Sequence, residues 1–160
     1  MSSTINKISE TRKRLRDKND RNSSTIFRRA DLFQVYYKYF DKEPESEEFK
    51  HYFDAIKSQL DECISKLIYD PETRQAYAST WSEKELFVER PYCIVGWNFY
   101  KTGDRINLIN IFRSTDIEKL DNDLRMCVKI LKYVCKGVEL EPGIMTCFFM
   151  NLHEYLNASK

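Results

Sequence analysis

Cys93 stands second in the apolar run YCIVGWNFY, while Arg113 and Asp116 follow the next such run, RINLINIF, inside the tetrad RSTD. A cysteine attacks as its thiolate, and a neighbouring guanidinium lowers the thiol pKa. The same guanidinium can grip a phosphate through paired hydrogen bonds. Cys93 and Arg113 would together carry covalent chemistry on a phosphorylated substrate if the fold joins them. Singly, each has a plainer reading: Cys93 as a small core residue, Arg113 and Asp116 as a surface ion pair or a helix cap. His153 and Tyr155 lie two apart and share one face of a strand, where a partly buried aromatic patch would explain them. Order and spacing decide between these readings.

The elements that must position these residues are legible in the pattern of apolar side chains. Between Ser46 and Tyr69, Phe49, Phe53, Ile56, Leu60, Ile64 and Leu67 recur at steps of three and four, which predicts a helix. Ser46 is its expected N-cap, Glu47 and Glu48 fill the first turn, and Pro71 stops it. RQAYASTW, YCIVGWNFY and RINLINIF read as strands, the last two joined at Thr102-Gly103-Asp104, where Gly103 supplies a positive φ. A second helix carries Leu120, Leu124, Cys127, Val128, Leu131, Val134 and Cys135 on one face and ends near Gly137. GIMTCFFMNLHEY forms a last strand, and DLFQVYYKYF is a short apolar segment before the acidic connector DKEPESEE. The expected architecture is α+β, one mixed sheet packed with two main helices.

A chain of 160 residues with 42% hydrophobic content can bury one core, so a single domain over residues 1–160 is expected. The 26 basic and 25 acidic residues nearly cancel, which gives nucleic-acid or anionic-membrane binding no global support. A basic helix or arm is expected over residues 1–18; such a charge run is usually a solvated face. No apolar run is long enough to span a bilayer, and MSSTINKISETRKRLRDK lacks the apolar centre of a secretory signal. Five cysteines without a CxxC pair suggest reduced thiols in the cytoplasm, with no disulfide framework and no metal site.

The stretch from Cys93 to Asp116 resembles the thymidylate synthase and deoxycytidylate hydroxymethylase superfamily, in which the nucleophilic Cys is followed at this interval by the Arg of an Arg-Ser-x-Asp motif. LDECISKLIYDPETRQAYASTW is similar to the family's helix, Asp-Pro turn and strand ending in Trp. LEPG and NLHEY resemble its Gly-containing turn and His-x-Tyr motif, and KNDRNSST its phosphate loop. The resemblance implies that Cys93 adds to C6 of a pyrimidine ring, so that C5 can take up a one-carbon unit. Arg113, Ser114 and Arg21 would bind the nucleotide phosphate. Arg74 would reach the phosphate of a neighbouring subunit in a homodimer, with Gln75 where a second basic residue is usual. His153 and Tyr155 would bind the sugar hydroxyl, and Asp116 would face the pterin of 5,10-methylenetetrahydrofolate. QVYYKYF is similar to the family's Val-Tyr-Gly-Lys-Gln-Trp stretch, which would put Tyr36 in a proton-transfer network.

Asp123 falls where a thymidylate synthase carries its uracil-reading Asn, and Asn122-Asp123 resembles the Asn-Asp pair of the hydroxymethylases. A protonated carboxyl can accept from the amino group of cytosine and donate to its ring nitrogen, so dCMP is the favoured substrate and dUMP the second. The plainer reading of Asp123 is an acid in the first turn of a helix, favoured by the helix dipole. Relative to the family the chain is shortened at the middle, where the catalytic Glu and folate-stacking Trp are carried, and at the C-terminus. Two functions follow: a pyrimidine nucleotide C5 methyl- or hydroxymethyltransferase, or a catalytically degenerate pyrimidine-nucleotide sensor.

Overall fold

The two apolar runs on either side of Gly103 pair into the hairpin around which the sheet is built. β3 (Ile94–Thr102) and β4 (Arg105–Phe112) run antiparallel. Gly103 holds φ of 60°, a left-handed value that glycine reaches without a Cβ clash and that suits the first position of a two-residue hairpin turn. The computed structural model describes residues 27–154; the expected N-terminal helix, Arg21 and Tyr155 lie outside the described residues.

β6 (Glu141–Glu154) lies parallel to β4, β1 (Phe27–Tyr36) antiparallel to β6, and β2 (Tyr77–Ser79) antiparallel to β3. The sheet order is β1-β6-β4-β3-β2, and the two-residue β5 (Thr115–Asp116) pairs with the end of β6. Helices α1 (Ser46–Tyr69) and α2 (Leu120–Val138) cover one face. The mixed sheet with two main helices is therefore observed as expected.

Local details differ from the sequence reading. The segment 31–40 is no isolated apolar stretch but the end of the strand β1 and a 3-10 turn, Tyr37–Phe40. Only Tyr77–Ser79 of RQAYASTW is strand. In α1 the sheet-facing residues are Tyr52, Ile56, Leu60, Cys63 and Leu67, whereas Phe49, Phe53 and Ile64 are partly buried beside them. Phe53 meets the Tyr133 ring of α2 edge-on, centroids 5.0 Å apart. The expected apolar stripe thus mixed two packing faces. Ser46 is the first helical residue and not the cap: Glu45 takes that position without a side-chain cap bond, and its N–H donates to Asn122 Oδ1 at 2.8 Å.

α2 runs through Gly137. It ends at Glu139, which adopts the left-handed conformation (φ 57°, ψ 41°) while Leu140 N–H donates to the Cys135 carbonyl at 3.1 Å. Gly137 serves packing instead, since a Cβ there would come 2.5 Å from Ile64 Cδ1 on α1. The expected Gly-containing turn at Gly143 lies inside β6.

Strand alternation divides the sheet into two faces. Phe33, Val35, Trp97, Phe99, Leu108, Phe112, Met145, Cys147 and Phe149 are buried under the helices. On the other face Leu32, Ile109, Phe148 and Met150 are 51%, 37%, 38% and 45% exposed, with Tyr77 and Tyr100 beside them. Among the described residues no helix is long and apolar enough to cross a membrane.

Candidate active site

Hairpin register sets Cys93 and Arg113 opposite each other. Ile94 pairs with Phe112, so these two are the next positions outward, and Arg113 N–H donates to the Cys93 carbonyl at 2.7 Å. Their interval in the sequence is the length of a hairpin. Arg113 Nε donates to the Tyr92 carbonyl at 3.2 Å and Nη2 to the Pro91 carbonyl at 3.3 Å, with Nη2 3.8 Å from Cys93 Sγ. Two backbone carbonyls thereby hold the cation against the thiol.

Burial pushes the half-buried Cys93 thiol above its ordinary pKa, and Arg113 draws it back only in part. Arg113 acts in the expected direction, but desolvation wins because the charged form loses water. Tyr52 supports the same backbone from α1: its hydroxyl accepts from Cys93 N–H at 3.0 Å and Ile94 N–H at 3.2 Å.

Asp123 lies in the first turn of α2 and is only 5% exposed. Burial first, then the charge of Glu48, push its carboxyl up to about 7, against the opposing influence of the Thr115 hydroxyl and the charge of Lys119. Glu48 belongs to the first turn of α1. Asn122 Nδ2 donates to Glu48 Oε2 at 2.8 Å while Asn122 Oδ1 accepts from Glu45 N–H, so one amide joins the two helix N-termini. Asp123 and Glu48 both act against ionisation of the Cys93 thiol, after burial.

The β5–β6 pairing puts Asp116 beside His153 and Thr115 beside Leu152. His153 Nδ1 lies 3.3 Å from Ser114 Oγ and 3.3 Å from the Asn151 carbonyl, and Asn151 Nδ2 donates to the Arg113 carbonyl at 2.9 Å. Asp116 Oδ1 accepts from Glu118 N–H at 3.0 Å, which fixes the carboxylate at the approach to α2. Cys93, Arg113, Ser114, Asp116, Asp123 and His153 thus gather at one end of the sheet.

Two candidates do not join them. Tyr36 pairs with Ile144, at the opposite end of β6 from His153; nine residues of strand separate these ends, about 30 Å at about 3.3 Å per residue. Arg74 is exposed in the loop before β2, and the Tyr77–Asn98 pairing points that loop toward the Thr102 end of β3, away from Cys93 of its own chain. Sequence reasoning missed Tyr52, Glu48 and Thr115, and named Asn122 only as the motif partner of Asp123. Glu48 and Tyr52 sit four apart on one helix face, but a first-turn acid and an aromatic beside an apolar stripe are ordinary features. An open hollow of about 440 Å³ lies on the uncovered sheet face, bordered by Tyr77, Trp81, Val95, Ile111, Arg113 and Met150.

A family model described as thymidylate synthase matches residues 6–160. A protein named "Putative thymidylate synthase" from Methanosarcina mazei is 30% identical over 99 residues, 61% of this chain and 46% of that protein. One of the same name from Methanococcoides burtonii is 30% identical over 105 residues, 64% of this chain and 48% of its own length. The crystal structure of thymidylate synthase from T4 phage matches with a TM-score of 0.58 at 25% identity, over 62% of this chain and 36% of that one. The chain spans about half the length of the curated relatives it matches.

Proposed function

The chain belongs to the thymidylate synthase family, and from that premise we propose that it transfers a one-carbon unit to C5 of a pyrimidine nucleoside monophosphate, with dCMP favoured and dUMP second. The observation that carries this reading is Arg113 Nη2 held 3.8 Å from Cys93 Sγ by the carbonyls of Pro91 and Tyr92. A cation so placed stabilises the thiolate as it forms and is also available to a phosphate. Cys93 attacks C6, C5 takes up the one-carbon unit and loses its proton, and departure of the thiolate restores the ring. Asp123 faces the base edge, Ser114 and His153 the phosphate and sugar, with Arg21 and Tyr155 in the same roles.

The fixed Asp116 carboxylate suits the hydrogen-bonding edge of a pterin, so it would hold 5,10-methylenetetrahydrofolate. That cofactor, when bound, supplies the one-carbon unit. The apolar open face and the outward position of Arg74 support a homodimer in which Arg74 completes the partner's phosphate site. Free thiols at all five cysteines accord with a reducing cytoplasm.

The raised proton affinity of Cys93 favours a second reading, a nucleotide-binding module without turnover. Calorimetric titration with dCMP, dUMP, CMP and UMP, followed by tritium release from C5 with and without methylenetetrahydrofolate, separates the two. Transfer predicts release that Cys93→Ala abolishes while nucleotide affinity stays within a few-fold. Binding without release leaves the module; no binding to any of the four refutes both.

A further inference from the structure

Asp123 can read the edge of a neutral pyrimidine only in one protonation state. A carboxylate offers acceptors alone, whereas cytosine and uracil each present one donor and one acceptor at the ring nitrogen and the C4 substituent. One proton on Asp123 supplies the missing donor. Its keeper in this fold is a residue that touches neither thiol nor phosphate-binding cation. We propose that Glu48 is a positioning residue for base recognition, holding Asp123 in its donor form from the neighbouring helix.

The geometry is that of a fixed charge. Asn122 Nδ2 binds Glu48 Oε2 at 2.8 Å, and Asn122 Oδ1 is itself held by Glu45 N–H, so Glu48 is anchored to the residue adjoining Asp123. Glu48 is half-buried and Asp123 almost wholly buried. Two like charges in such surroundings do not both ionise readily, and the more buried group keeps the proton. The other groups that face Asp123 are Tyr52 from α1, Cys93 before β3, Asp116 in β5, and Lys119 and Cys127 before and within α2. Lys119 is exposed and opposes Glu48; Tyr52 and Cys127 are pushed up by burial and stay neutral. The arrangement ties the junction of the two helices to base recognition: the Asn122 amide that joins α1 to α2 also holds the Glu48 charge that tunes Asp123.

This inference rests on Asp123 as the base-reading residue, and its test separates the two. Affinity of the full chain for dUMP and dCMP is measured from pH 5.5 to 9, with Asp123→Asn as the reference for titration of the nucleotide itself, since an amide carries a fixed donor and acceptor. The wild-type chain should lose about tenfold affinity per pH unit above a midpoint near 7. Glu48→Gln keeps an acceptor for Asn122 but removes the charge, so its midpoint should fall by about one unit, while affinity at pH 5.5 is retained. Titration of the Asp123 carboxyl by carbon-13 NMR, without nucleotide, should show the same displacement. An unmoved midpoint in Glu48→Gln, or a loss of affinity uniform over pH, overturns the role of Glu48 and leaves the base-reading role of Asp123 standing. A wild-type profile that matches Asp123→Asn, or no binding at any pH, overturns both.

Discussion

At the scale of single residues, two ionisable groups are governed by burial more than by their charged neighbours. The Cys93 thiol lies above its ordinary pKa although Arg113 sits against it, and Asp123 is lifted to about 7. For Asp123 this has a consequence for stability. Its folded-state pKa exceeds the unfolded value of 3.8, so the folded chain binds the proton more tightly. The stabilisation is complete below the unfolded value and is lost as pH rises toward 7, then stays lost. Asp123→Asn removes this term. Urea unfolding at pH 4 and pH 8 should show the variant gaining stability relative to the parent at the higher pH, by up to roughly 4 kcal/mol from linkage over this interval. A difference that does not change with pH would mean that Asp123 ionises at an ordinary pH in the fold.

The elements place these residues by register and by helix ends. The β3–β4 hairpin converts a sequence interval into the Cys93–Arg113 contact, and the parallel pairing of β5 with β6 brings Asp116 beside His153. α2 closes at Glu139 in a left-handed conformation that a Cβ disfavours by about 1–2 kcal/mol. Glu139→Gly should therefore raise stability by about 1 kcal/mol without altering the site, measured as a shift in the urea midpoint at constant slope. A loss of stability would show that the Glu139 side chain contributes more than its backbone costs. The helix pattern in the sequence revealed that α1 and α2 exist and where they lie. It could not separate the sheet-facing residues of α1 from those that meet α2, because Phe49, Phe53 and Ile64 are as apolar as the residues under the sheet.

At the scale of the whole molecule, the described residues cover the sheet on one side only. Leu32, Ile109, Phe148 and Met150 form neighbouring positions on the uncovered side, and an apolar area of this kind marks an interaction surface. A second copy packed there would bring Arg74 out of its position remote from Cys93 and toward the other chain. If the proposed homodimer forms through this face, Phe148→Glu should convert it to monomers in sedimentation equilibrium, since a charge would be stranded in the interface. The same variant should weaken nucleotide affinity if Arg74 acts across it. An unchanged mass of one chain in both proteins would rule out the sheet face as the dimer contact.

The residue types and their order in the chain determined the elements, the hairpin and the pairing of Cys93 with Arg113, because strand alternation, helical period and a glycine turn are local. They also determined family membership through RSTD, the Asp-Pro helix and the His-x-Tyr motif. Tertiary structure decided what each group experiences. Tyr36 and His153 are both expected at the site from their separate motifs yet stand at opposite ends of the sheet, and Glu48, an ordinary helix-start acid in sequence, is bonded to Asn122, the neighbour of Asp123. Desolvation and the approach of charges from separate elements depend on how helices seat on the sheet, and no spacing along the chain encodes either.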